Sequence, residues 1–363
     1  MRWENQKIHD DAGTPAAAPL IPMQGLLRSV RTPEFDGITF HEVAAKTALN
    51  KVPGQSNMPF KWTVNPTRGC SHSCKYCFAR NTHSYLDMGT GEDFDTQIVV
   101  KTNVAEVLRA ELAKASWKRE HVALGTNTDP YQRLEGRYQL MPGIIRALAD
   151  SETPFSILTK GPLLKRDLPL LVEASKRVDV SVAVSLAIMD PPLQQAVEPG
   201  TPNPTARLNL VRTVADAGLN VNVLAMPILP WLTDSEDHLD WLHGSLKEAG
   251  ASWVSTGALH LRPGAREWFM QWLQQEHPAL VPRYRRLYSG KHGFGSYASK
   301  EYKQWLGARA AEARRRHGFE RDSDLRWRGR TSPEESAPQQ RADDPQLQLP
   351  GLELSGQAQG ALW

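Results

Sequence analysis

All three cysteines of this 363-residue chain fall within eight positions, Cys70, Cys74 and Cys77, in a Cys-x3-Cys-x2-Cys spacing. Iron–sulfur clusters that only carry electrons usually take four thiolates. Three can hold three irons of a cubane [4Fe-4S] cluster and leave the fourth open to a substrate or cofactor, so the count implies chemistry at the metal. Two duller readings compete. A structural zinc site needs a fourth ligand, which His72 or His83 would have to supply. A disulfide would strand one sulfur and staple nothing useful. The N-terminus, with Glu4, Asp10 and Asp11 and no apolar stretch, carries no secretory signal. Only the cluster uses all three cysteines without calling on a further side chain.

The surrounding residues go further. Asn65-Pro-Thr-Arg-Gly leads into Cys70, Tyr76 precedes the last cysteine, and Phe78 and Ala79 follow it. In order come Gly125-Thr-Asn-Thr-Asp-Pro-Tyr-Gln-Arg-Leu-Glu135, Leu158-Thr-Lys-Gly161, Arg166-Asp-Leu168, Glu198-Pro-Gly200, Arg207, Ala217-Gly218 and Ala225-Met-Pro-Ile-Leu-Pro230. This series resembles the radical S-adenosylmethionine (SAM) superfamily, in the branch related to spore photoproduct lyase and often called DNA repair photolyase-like. The resemblance implies that Cys70, Cys74 and Cys77 hold a [4Fe-4S] cluster whose open iron is chelated by the amino and carboxylate groups of S-adenosyl-L-methionine. An electron, from a donor such as flavodoxin or ferredoxin, would then release methionine and a 5′-deoxyadenosyl radical. It also implies a substrate-modifying or lyase-like enzyme, with nucleic acid the preferred substrate class.

Cofactor-binding candidates sit at strand ends. Lys160, directly after the run Ser156 to Thr159, would point its ammonium at the cofactor carboxylate. Ser185 resembles a ribose contact, Tyr76 lies near the adenine, and Thr128 and Met226 end two further strands. One departure stands out. Spore photoproduct lyase relays hydrogen through an additional cysteine, which would fall near Thr126, and this chain has none left. Either hydrogen returns directly from 5′-deoxyadenosine, or a tyrosine such as Tyr131 relays it, or the reaction differs.

These groups need a scaffold, and the chain supplies a regular alternation. Strand-like runs occur at Trp62–Val64, Val122–Leu124, Phe155–Leu158, Val180–Val184, Val221–Leu224 and Trp253–Thr256. Helical patterns lie between and after them, near 102–116, 142–150, 167–178, 204–218, 235–249 and 265–276. Asn103 and Asp167 are expected to open two of the helices, with Pro169 in a first turn, while Gly218 and Gly250 mark exits. Parallel strands joined by helices predict an α/β fold, a partial (βα)6 TIM-like barrel with its function at the carboxyl ends of the strands. The expected division is an N-terminal extension over 1–60, the barrel over 61–285, a basic helical segment over 286–330 and a disordered tail over 331–363.

Composition is that of an ordinary water-soluble enzyme, 40% apolar and 23% charged with a formal net charge of +3. No apolar run approaches membrane-spanning length, and the cytoplasm is the expected location. Other groups carry weaker alternatives. Glu198 and Arg207 are expected to pair with each other. Asp129 and Glu135 could bind substrate or cap turns, Arg68, Lys75 and Arg80 could tune a cluster or be solvated, and His260 and Arg262 are substrate-contact candidates. The stretch from Arg309 to Arg330 interleaves Phe319 and Trp327 with basic residues, a composition suited to nucleic acid. It also supports a second reading, a nonenzymatic iron–sulfur sensor that binds nucleic acid. Gln346-Leu-Gln-Leu349 resembles a sliding-clamp peptide without its terminal aromatic.

Overall fold

The computed structural model describes residues 8–10, 15–16, 23–53, 58–290 and 293–319. The six expected runs are strands, labelled here β1 (Trp62–Val64), β2 (Val122–Leu124), β3 (Phe155–Thr159), β4 (Val180–Ser185), β5 (Val221–Ile228) and β6 (Trp253–Ala258). Each lies parallel to the next, in the spatial order β6-β5-β4-β3-β2-β1. Strand Leu49–Lys51 adds an antiparallel edge beyond β1. Parallel neighbours require crossovers, supplied by helices Val104–Leu112, Leu140–Asp150, Leu164–Ser175, Pro204–Asp216 and Glu236–Glu248, with Ala265–Glu276 following β6. The fold is the partial barrel of the α/β class that the alternation predicts.

Its core follows from composition. Val182, Val184, Val221 and Val223 are wholly buried between the sheet and the helices, alongside Leu108, Ile144, Leu171 and Leu242. β-Branched residues suit a pleated surface covered by helices, and each such burial contributes about 1.5–3 kcal/mol.

A second sheet was not legible in the sequence. Strands Leu26–Arg31 and Thr39–Val43 of the N-terminal extension join Gln97–Lys101 and Thr67–Arg68, the last lying just ahead of Cys70. Thr39 pairs with Gln97 in parallel and Arg68 with Val99 antiparallel. The extension therefore helps hold the lead-in to the cysteine loop. The buried run Ile98, Val99, Val100 drives the central strand of this sheet.

Local signals were partly misplaced. Asn103 makes no side-chain cap; its amide oxygen accepts from the Ala45 N–H at 2.7 Å, tying the extension to the barrel. Helix Leu164–Ser175 starts three residues before Asp167, so Pro169 lies inside it rather than in the first turn. Ser235 caps Glu236–Glu248 by accepting from the His238 N–H. Gly218 and Gly250 have positive φ at helix exits, as read.

The C-terminal helix Lys300–Arg316 buries Leu306, Ala310 and Ala313 against the barrel. Its basic residues are engaged: Arg316 pairs with Asp240 at 2.8 Å, Arg309 approaches Glu236 at 3.7 Å, and Arg314 donates to Thr256. Over the described part, the helix thus docks through its apolar side and several of its arginines are paired with acidic or hydroxyl groups of the barrel. Trp327, Arg330, the tail 331–363 and Gln346–Leu349 lie outside the described residues. Among those residues, no helix is long and apolar enough to cross a membrane.

Gly125 ends β2 with φ near +88°, and an added Cβ would sit 2.0 Å from the Leu158 carbonyl oxygen. Gly125→Ala should lower stability by about 3 kcal/mol, from strain plus a backbone clash. Urea unfolding followed by circular dichroism checks this; a midpoint equal to the parent's would contradict the packing.

Candidate metal centre

The cysteine loop leaves the carboxyl end of β1, the end where barrel function gathers. Cys70 and Cys74 are buried and Cys77 is half-buried. Cys70 donates its N–H to the Phe94 carbonyl at 3.0 Å, while the Cys77 N–H returns to the Cys74 carbonyl. Gly69 (φ +86°) and Ser73 (φ +53°) bend the chain around these contacts.

A buried polar network holds the loop from below. Gln132 accepts from the Ser71 N–H at 2.8 Å, and its amide donates to Thr128, Thr67 and the Gly69 carbonyl. The Thr128 hydroxyl gives its proton to the Gly69 carbonyl at 2.8 Å. It therefore supports the loop from within. On the other side, the Lys75 N–H reaches the Val197 carbonyl and the Gly200 N–H reaches that of His72. An added Cβ on Gly200 would lie 1.9 Å from the Ser71 oxygen. Only glycine fits there.

Charged groups converge beside Cys74. Glu198 and Arg207 are both buried to within 1% and pair at 2.5 Å, as the sequence suggested. Arg207 also donates to the Pro202 and Ser185 carbonyls and to the Thr201 hydroxyl. The Tyr76 hydroxyl donates to Glu198. Lys160 lies 4.0 Å from the same carboxylate and 5.9 Å from the Tyr76 ring. Burial alone would raise the Glu198 pKa, but Arg207 and Lys160 outweigh it and hold the carboxyl at about 2. Burial likewise opposes the Lys160 charge, yet the Cys74 sulfur and the Glu198 carboxylate keep its pKa above the ordinary lysine value. Tyr76 is pushed well above the usual phenol range by burial and by Glu198, so its proton stays in place. The structure thus brings Tyr76 and Lys160 together at Glu198, while Ser185 meets the group through its backbone carbonyl, on Arg207. Met226 lies within β5, half-buried, with its side chain beside Gly257 of β6.

Several candidates prove structural. Asp129 accepts from the Tyr131 N–H, the Thr159 hydroxyl and the Lys160 N–H, so it locks the turn and the end of β3. Glu135 accepts from the N–H groups of Leu140 and Met141, capping that helix, and pairs with Arg166. Tyr131, the suggested hydrogen relay, is buried in the core with its hydroxyl on Asp167 at 3.2 Å. Burial and that carboxylate tie its hydroxyl into the core, away from the relay role suggested by the sequence. Thr126 hydrogen-bonds Asn65. Gln132 and Thr67, central to the loop's support, were missed because a glutamine in a turn and a threonine in a two-residue strand carry no chemical signature.

The donor set fits a cluster rather than a lone ion. His72 faces Asp129 at 3.4 Å, its pKa lowered to about 4 by burial, and His83 Nε2 is bonded to the Gln97 carbonyl. Among the described residues, no three His, Cys, Asp or Glu side chains converge where one metal ion would sit. A cubane makes a different demand, one thiolate at each of several corners. Burial raises all three thiols, Cys70 strongly and Cys74 to about 12, so they ionise only against a metal that displaces the proton. With Lys160 beside Cys74, one cation already favours that ionisation.

Comparison with known proteins follows this geometry. The Radical SAM superfamily description matches residues 64–242. An uncharacterized protein of Mycobacterium tuberculosis is 59% identical over 314 residues, covering 86% of this chain and 91% of its own length. An uncharacterized protein of Acidianus two-tailed virus is 28% identical over 209 residues, 55% of this chain and 68% of its own. Among solved structures, a spore photoproduct lyase variant with bound AdoMet and dinucleoside spore photoproduct superposes with a TM-score of 0.58 at 16% identity, over 77% of this chain and 79% of that one. At that identity the likeness speaks for the fold.

Glu198→Ala should strand Arg207 as an uncompensated buried charge and cost about 3–5 kcal/mol. Thermal unfolding of the apoprotein is the check, and a loss under about 1 kcal/mol, the scale of an exposed pair, would show the pair to be solvated.

Proposed function

The chain belongs to the radical SAM superfamily, and on that footing we propose that it is a radical SAM enzyme acting on nucleic acid. In this reading Cys70, Cys74 and Cys77 hold a [4Fe-4S] cluster, and Lys160, Ser185, Tyr76 and Met226 line the seat of S-adenosylmethionine. When bound, the cluster and cofactor supply reductive cleavage of the sulfonium to a 5′-deoxyadenosyl radical. The residues do the rest. Lys160 offers an ammonium to the cofactor carboxylate, and Glu198, held ionised by Arg207, keeps that ammonium aimed across the Tyr76 ring. Buried aliphatic walls at Leu186, Ala187 and Leu229 keep water from the strand ends.

The observation that carries the cofactor reading is the gathering of Lys160, Glu198 and Tyr76 against Cys74. For the substrate, support comes from the rim. Phe78, next to Cys77, is 46% exposed beneath Arg262 at 5.5 Å. Trp231, after β5, is 40% exposed with Arg283 at 5.6 Å. Tyr297, bridged to His260 after β6, is 55% exposed with Lys303 at 5.7 Å. Aromatic faces, each with a cation, at the mouth of a barrel suit stacked bases and their phosphates. His260 and Arg262, candidates from the sequence, lie within this rim.

Anaerobically reconstituted protein given dithionite and S-adenosylmethionine should release 5′-deoxyadenosine, and Cys74→Ala should release none. A cluster that forms without any turnover would reject the enzymatic reading. Lys160→Met should weaken cofactor binding about tenfold or more, from one lost charge-assisted contact. Isothermal calorimetry with the cofactor checks it, and unchanged affinity would remove Lys160 from the seat. On the substrate side, Phe78→Ala should weaken binding of a single-stranded oligonucleotide by about 1–3 kcal/mol. Parental affinity in a fluorescence anisotropy titration would speak against stacking at that position.

A further inference from the structure

β1 and β6 are farthest apart in the order of the parallel sheet, so sheet hydrogen bonds do not join the first strand–helix unit to the last. Side chains do. Helix Ala265–Glu276, after β6, packs on the segment Phe78–Leu86 that follows Cys77. Its Trp268 lies between two cations of the cysteine segment, Lys75 at 5.1 Å and Arg80 at 4.9 Å. The Arg80 guanidinium also lies 5.2 Å from the Phe94 ring.

Arg80 is wholly buried, and it donates in three directions. Nε and one terminal nitrogen reach the Cys74 carbonyl at 3.2 and 3.1 Å. That same nitrogen meets both Asp95 oxygens at 2.9 Å. The other terminal nitrogen donates to the Gly91 carbonyl at 2.7 Å. Gly91 leaves room for the Trp268 ring, which an added Cβ would meet at 3.1 Å. A buried arginine in contact with two rings and bonded to the backbone of a cysteine has little freedom. Its position fixes where the Cys74 carbonyl, and hence the loop, can lie.

We propose that Arg80 is a positioning residue for the cluster loop and that Trp268, from the last unit of the barrel, is its buttress. Closure of the open barrel and retention of the cluster are then one event, because the same side chains perform both. A disturbance of the helix after β6, some 190 residues from the cysteines in sequence, loosens the metal centre. Lys75, over the same Trp268 ring, belongs to the same support, so two of the three cations flanking the cysteines act through an aromatic ring.

The inference rests on the cluster assignment, and the full-length parent's own iron content reports on that assignment separately. Reconstituted parent, Arg80→Gln, Trp268→Ala and Trp268→Phe are challenged with an iron chelator, with far-UV circular dichroism recorded alongside. Arg80→Gln and Trp268→Ala should lose iron several-fold faster than the parent at unchanged helicity. Trp268→Phe, which restores an aromatic face, should return most of the way to the parental rate, a rescue that general destabilisation would not give. Parental retention in a folded Arg80→Gln overturns the proposal, as does loss of the whole fold in that variant together with parental retention in Trp268→Ala. Failure of Trp268→Phe to recover also overturns it. Iron-free parent protein would instead sink the cluster reading and this inference with it.

Discussion

Three thiols buried at the mouth of a barrel must surrender their protons before they can bind iron, and burial works against that loss. The metal must supply most of the compensation, and the protein contributes shape and a few fixed charges. Much of what surrounds the loop serves that division of labour. The backbone is pinned by Gln132 from below, by Gly200 from the side and by Arg80 from behind. A loop already bent to its bound form loses less entropy when the metal arrives.

The charges are arranged in series. Arg207 neutralises Glu198, Glu198 faces Lys160, and Lys160 faces Cys74. Each member would be costly to bury alone, and each is made tolerable by the next. The chain ends on the thiol side with a positive group, which suits both an ionised cysteine and an anionic end of a cofactor. Asp95, pushed up to about 6 by its burial despite Arg80, closes a second, smaller pair behind the loop.

The barrel was legible in sequence because its signals are short-range. Runs such as Val180 to Val184 and Val221 to Leu224, separated by amphipathic stretches with glycine exits, allow little else. The second sheet was hidden because its members are scattered: Thr67–Arg68 and Gln97–Lys101 flank the cysteine loop and pair with strands of the extension. Such long-range pairing leaves no local period to read. Among the site residues, the cysteines, Lys160 and the Glu198–Arg207 pair could be found by type and spacing. Thr128 and Tyr131 could not be placed correctly, since whether a hydroxyl faces a pocket or a carbonyl depends on packing. The roles of Arg80 and Trp268 emerge only when the two ends of the barrel are seen together.

The most direct test concerns the open iron that the proposed three-cysteine cluster would leave. Protein reconstituted with 57Fe in the absence of oxygen is measured by Mössbauer spectroscopy before and after S-adenosylmethionine is added. This account predicts a four-iron cluster in which one iron changes its signature with the cofactor while the other three stay as they were. Four irons indifferent to the cofactor, or a centre holding zinc, would contradict it.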